Sequence, residues 1–117
     1  MKVVDILYII ADNLDKMEKT KGLNKFDATL LYRTRHIIYD VIGDIINYEG
    51  VSSFCNLYAV AKNLYKFRSH LGDAKLIKLV NESMAMTKII TNILFTNINN
   101  EEIDFNELKV YIDDNIN

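Results

Sequence analysis

The sequence predicts an all-α protein, folded as a compact antiparallel bundle of about five helices. The chain has no proline and only four glycines among 117 residues, fewer turn-forming residues than a β-sandwich or an α/β protein needs. Apolar residues recur at steps of three and four, the period of a helix that is buried on one side. The breaks between these stretches are short, so successive helices must run back along one another.

The first helix is predicted at about residues 3–19 and the second at about 27–48. The first has a single apolar stripe, made by Val3, Leu7, Ile10, Leu14 and Met17. The second has two adjacent apolar stripes, one running from Leu30 to Ile45 and the other from Leu31 to Ile46. Asp27 is its predicted N-cap. A helix that is apolar around most of its circumference belongs at the centre of a bundle, so we expect the other helices to enclose it.

The third and fourth helices are predicted at about residues 53–71 and 74–96. Gly72 ends the third helix, and Asp73 is the predicted N-cap of the fourth. Ser83 and Thr87 are small residues beside the apolar face of the fourth helix, and they predict a close approach by another helix. Gly43 predicts a similar approach on the second helix.

The fifth helix is predicted at about residues 105–114. Asp104 and Glu107 have the spacing of a capping box at its start. Phe105, Leu108 and Ile112 fall on one side of this helix, which we expect to face inward.

The length of the chain favours a single domain that spans residues 1–117. The formal net charge of −2 gives no general reason to expect nucleic acid or an anionic membrane as a partner. No apolar run reaches the roughly 18 residues of a membrane helix. Asp5 interrupts an N-terminal apolar run that otherwise looks like a signal peptide. We therefore expect a cytoplasmic protein without a membrane segment.

Cysteine and glycine usage removes several classes of site. Cys55 is the only cysteine, which excludes an internal disulfide and a cysteine-rich zinc site, and we expect it to be a small buried apolar residue. The four glycines are scattered singly, so there is no glycine-rich phosphate loop. No serine elbow or Cys-His set is recognisable either. We expect no cofactor, no metal ion and no catalytic residue.

The amino-acid composition of the sequence suggests the kind of genome that encodes it. Isoleucine, asparagine, lysine and tyrosine are abundant, and 11 lysines stand against three arginines. Such a bias is typical of an AT-rich genome, as in many viruses, phages and low-GC bacteria. A viral or phage accessory protein, acting in the host cytoplasm, fits this size and composition.

Three groups of polar residues are candidate sites. The first, here called the polar stripe, lies along one side of the second helix and consists of Arg33, His36, Asp40 and Asp44. Histidine and aspartate at this spacing can ligate a metal ion or act as a base and its orienting partner. The alternative is a solvated face on which Asp40 pairs with His36.

The second group, the basic corner, surrounds the junction of the third and fourth helices and consists of Lys62, Lys66, Arg68, His70, Lys75 and Lys78. Tyr58, Tyr65 and Phe67 are interleaved with these cations. Exposed aromatic rings among cations can bind a phosphate backbone and stack on bases. The alternative is a solvated face whose aromatic rings point inward.

The third group, the acidic end, consists of Glu101, Glu102, Asp104, Glu107, Asp113 and Asp114. Lys109 is the only basic residue among positions 97–117, so this segment carries a side-chain charge of −5. The acidic end can dock on the basic corner, either within one chain or between two.

Taken together, the sequence favours a non-enzymatic helical interaction protein that binds another protein and also forms a homodimer. The apolar faces exceed what one small bundle needs, and surplus apolar surface usually marks an interface. One alternative is a nucleic-acid-associated domain that uses the basic corner, which is possible but not favoured. The other is a small metal-dependent enzyme that uses His36, Asp40 and Asp44.

Overall fold

The computed structural model describes residues 2–47, 53–69 and 71–96. They form four helices, α1 (Val3–Glu18), α2 (Lys25–Ile46), α3 (Ser53–Arg68) and α4 (Ala74–Thr96), and these described residues contain no β-strand. The all-α fold is therefore confirmed. The number of helices is four where about five were predicted, and the predicted fifth helix at 105–114 lies outside the described residues.

The predicted cap is confirmed at α4 but not at α2. The Asp73 carboxylate accepts hydrogen bonds from the backbone N–H groups of Lys75, at 2.8 Å, and Leu76, at 3.2 Å. α2 begins before Asp27, and its N-cap is Asn24, whose side-chain oxygen accepts from the Asp27 N–H at 2.8 Å. The Asn24 amide donates to the Asp27 carboxylate at 3.0 Å, so Asp27 belongs to the first turn instead of preceding it.

The four helices pack in a ring in which each contacts two others. α1 lies against α2 and α4, α3 lies against the same two helices, and neither diagonal pair of these elements is in contact. The Ser53 hydroxyl donates to Asp44 at 3.4 Å, and the Asn63 amide donates to the Thr34 hydroxyl at 3.1 Å. From the first contact to the second, the position on α3 increases by ten residues while the position on α2 decreases by ten. α2 and α3 are therefore antiparallel neighbours.

Among the described helices α2 contacts only α1 and α3, so these helices do not enclose it as expected. Leu31 and Ile38 are fully buried, but Leu30 and Ile37 are only partly covered and Ile46 is 55% exposed. The predicted close approach at Gly43 is also wrong, since a methyl group added there would meet no neighbouring atom within 4 Å.

A buried polar contact joins α1 to α4 within the apolar core. The Asn13 amide donates to the Ser83 hydroxyl at 3.3 Å, and that hydroxyl donates to the Leu79 carbonyl at 2.9 Å. The buried Thr87 hydroxyl donates to the Ser83 carbonyl at 2.8 Å. All three side chains therefore have partners, as buried polar groups require. Ser83 and Thr87 are small residues on a buried side of α4, as the sequence indicated.

Aspartate at position 38 should unfold the domain, whereas aspartate at position 46 should be tolerated. Ile38 has no exposed surface, so Ile38→Asp buries an unpaired charge. Burying that charge should lower the free energy of unfolding by several kcal/mol, which is comparable with the total free energy of unfolding of a domain, about 5–15 kcal/mol. Ile46 lies on the same helix with its side chain in solvent. Urea denaturation of both variants measures the difference, and a folded Ile38→Asp protein would contradict the position assigned to α2.

Candidate functional site

The polar stripe lies on the outer side of α2. Arg33, His36 and Asp40 are exposed, and Asp44 is half-buried beside Ser53. No hydrogen bond or ion pair joins His36 to Asp40 among the described residues. No three His, Cys, Asp or Glu side chains within the described ranges lie close enough together to hold a metal ion.

Aromatic rings occupy the outer side of α2 between the charged residues. The His36 ring lies 4.4 Å from the Tyr32 ring and 6.0 Å from the Tyr39 ring, centroid to centroid. Tyr32 and Tyr39 are 48% and 40% exposed. The polar stripe predicted for this side of α2 did not include these rings. The spacing of residues 32, 36 and 39 was the available signal, because steps of four and three place side chains on one face.

Arg35 ties this row to α1. Its guanidinium donates to the Glu18 carboxylate from two nitrogens, at 3.1 and 3.2 Å, and lies 5.5 Å from the centre of the Tyr32 ring. The pKa of Arg35 is raised, first by a hydrogen bond with the Tyr39 side chain and then by Glu18. The guanidinium therefore joins the Tyr32 ring on α2 to Glu18 at the end of α1.

Two cations of the basic corner contact different helices. Lys66 on α3 extends toward α2, where its ammonium lies 5.1 Å from the centre of the Phe26 ring. Arg68, two residues later, turns toward α4 and donates to the Asn81 side chain. Lys75 and Lys78 are exposed on the first turns of α4. His70 lies outside the described residues.

The outer side of α3 carries tyrosines and lysines together. Tyr58 is 71% exposed and Tyr65 is 64% exposed, whereas Phe67 is fully buried. Lys62 lies between the tyrosines at helical spacing, and it forms no salt bridge with another described residue. We call the surface formed by Tyr58, Lys62, Tyr65 and Lys66 the tyrosine–lysine face. Two of the three aromatic rings therefore point outward, and α3 contains no acidic residue that could neutralise the face.

An open apolar groove borders this face between α3 and α4. It has a volume of about 500 Å³. α3 contributes Phe54, Leu57, Tyr58 and Ala61, and α4 contributes Met84, Thr87, Lys88, Thr91 and Asn92. Each set follows the spacing of one helix face over about two turns. Tyr58 belongs both to the groove and to the tyrosine–lysine face.

Two further sequence expectations concern α3 and the chain end. Cys55 was expected to be buried, but its thiol is free and exposed, because residue 55 falls on the outer side of α3. The acidic end, comprising Glu101, Glu102, Asp104, Glu107, Asp113 and Asp114, lies outside the described residues.

Comparison with known proteins identifies no relative of this chain. No protein-family model, curated protein or solved structure matches this chain. None of the helices in the described part of the chain combines the length and the apolar character that crossing a bilayer requires.

The exposed tyrosines of α3 should contribute little to folding. Tyr65→Ala should change the free energy of unfolding by less than about 0.5 kcal/mol, because the ring lies in solvent. Phe67→Ala, two residues along the same helix, removes a fully buried ring and should cost about 3–5 kcal/mol. Chemical denaturation of the two variants measures this contrast. A comparable loss in both would mean that Tyr65 serves the fold and not a surface.

Proposed function

We propose that this chain is a helical interaction protein that acts by binding, without catalysis. It binds another protein through the tyrosine–lysine face of α3 and forms a homodimer through the outer side of α2. The observation that carries this proposal is the nature of the exposed apolar groups in the described residues. Six of the seven large ones are aromatic, and Ile46 is the only aliphatic one.

Aromatic rings beside cations are characteristic of binding surfaces. Tyrosine, phenylalanine and arginine are enriched in protein interfaces, where a rigid ring gives a large contact area at a small entropic cost. In this chain Phe26 lies under the Lys66 ammonium, and Tyr32 lies under the Arg35 guanidinium. Aliphatic residues of the wide apolar faces, such as Ile6 on α1 and Ile90 on α4, have no exposed surface. The argument for an interface therefore rests on the aromatic residues.

The charge of α3 indicates the kind of protein partner. Its exposed side carries Lys62, Lys66 and Arg68, and the helix has no acidic residue. Complementary charge guides encounter and sets orientation more than it adds affinity. The partner surface that fits is therefore acidic, with apolar groups placed to pack against Tyr58 and Tyr65.

The outer side of α2 is complementary to itself. Arg33 and Asp40 lie on either side of His36, about 10 Å apart along the helix at 1.5 Å per residue. When two copies of α2 pack antiparallel about a two-fold axis near His36, Arg33 of each copy faces Asp40 of the other. The rings of Tyr32, His36 and Tyr39 then meet at the axis. Such matching of a patch to itself is what a two-fold dimer requires.

A second candidate function is binding of single-stranded nucleic acid by the tyrosine–lysine face. One observation favours it, namely that the Tyr58 and Tyr65 rings point into solvent with Lys62 between them. Stacking on bases and attraction to phosphates need that arrangement. We rank it second because the formal net charge of the chain is −2.

Dimer formation is tested by charge reversal on α2. We expect sedimentation equilibrium to give twice the 13.6 kDa mass of one chain at micromolar concentration. Arg33→Asp or Asp40→Arg places like charges opposite each other and should weaken the dimer about tenfold or more, equivalent to 1.4 kcal/mol. The double variant Arg33→Asp/Asp40→Arg should restore it. A mass of 13.6 kDa at every concentration would reject the homodimer.

Protein binding by α3 is tested by affinity capture from an extract of the source cells. The variant Lys62→Glu/Tyr65→Ala should no longer capture the protein, because it reverses one charge of the face and removes one ring. The control Lys16→Glu/Tyr8→Ala makes the same changes on exposed residues of α1 and should retain it. Capture must survive nuclease treatment. Loss of capture with nuclease, together with salt-sensitive binding of an oligothymidylate, would instead support the second candidate.

A further inference from the structure

The groove between α3 and α4 has a definite length and position. Its α4 wall runs from Met84 to Asn92, and its α3 wall runs from Phe54 to Ala61. At 1.5 Å per residue, the α4 wall is about 12 Å long and the α3 wall about 10 Å. α4 ends at Thr96, about one turn beyond the groove. The groove therefore lies at the end of the bundle from which the chain continues into residues 97–117.

The following segment has a length that fits this groove. Phe105, Leu108 and Ile112 are spaced by three and four residues, so a helix would present them on one side over about 10 Å. Eight residues separate Thr96 from Phe105. An extended connection of that length spans up to about 27 Å, which is more than a reversal of direction alongside α4 needs.

Charge favours the same pairing. The groove itself has Lys88 on its edge, and Lys62 follows the lining residue Ala61. Positions 97–117 carry a side-chain charge of −5. An acidic segment with one apolar side is therefore complementary both to the apolar walls and to the two lysines beside them.

We propose that the α3–α4 groove is the docking site for residues 105–112 of the same chain, which insert Phe105, Leu108 and Ile112 between the two helices. This docking does not depend on the proposed protein-binding function.

The exposed thiol of Cys55 allows a direct test in the full-length protein. Cys55 is the only cysteine and follows Phe54, a lining residue of the groove. A nitroxide attached there broadens the NMR signals of nearby amides. We expect strong broadening of amides 105–112 in the otherwise unchanged chain, and none in Leu108→Asp, because the new charge cannot enter an apolar groove.

The matched control is Val110→Asp, which adds the same charge on the opposite side of the helix. It should keep the broadening. Nitroxide-labelled chain mixed with isotope-labelled chain that carries no nitroxide separates docking within one chain from docking between two. Broadening that occurs only when the nitroxide and the isotope label are on the same chain supports the proposal. Broadening in the mixture, or equal signals in Leu108→Asp and the unchanged chain, would overturn it.

A synthetic peptide of residues 101–117 provides a second readout. Leu108→Asp protein, with its own segment displaced, should bind this peptide at least tenfold more tightly than the unchanged protein does. Equal affinity would mean that the segment does not occupy the groove in the free chain. This result is independent of the affinity-capture experiment, so docking and partner binding can fail separately.

Discussion

Each helix of the bundle contacts two neighbours, and this arrangement decides which side chains reach solvent. A helix at the corner of a ring buries the side that faces the ring and keeps the rest outside, however apolar its sequence. For this reason α2 buries Ile38 completely but leaves Ile46 exposed, although both belong to its apolar pattern. The same constraint turns Tyr58 and Tyr65 outward while Phe67 enters the core.

Local patterns were sufficient to predict the all-α class and the extent of α4, because the Asp73 cap and the three-and-four period depend on neighbouring residues only. The central position of α2 and the depth of Cys55 were predicted wrongly. Both depend on how many helices surround a given face, which periodicity does not encode. The aromatic row on α2 and the link between Asn13 and Ser83, which are 70 residues apart, depend on packing between distant parts of the chain.

The two outer surfaces that matter for function differ in chemistry. The side of α2 carries both signs of charge around a row of rings, and Arg35 fixes that row by its contacts with Glu18 and Tyr32. The side of α3 carries only positive charge around its tyrosines and continues into the apolar groove. A surface with both charges suits a second copy of itself, whereas a surface with one charge needs a partner of opposite charge.

The most direct test of this account is oxidative footprinting of the exposed tyrosines over a range of protein concentrations. As dimers form, Tyr32 and Tyr39 on α2 should lose reactivity toward hydroxyl radicals. Tyr8 on α1 and Tyr65 on α3 should keep theirs, because the homodimer leaves those faces open. Equal reactivity of all four tyrosines at every concentration would contradict the assignment of α2 as the dimer surface.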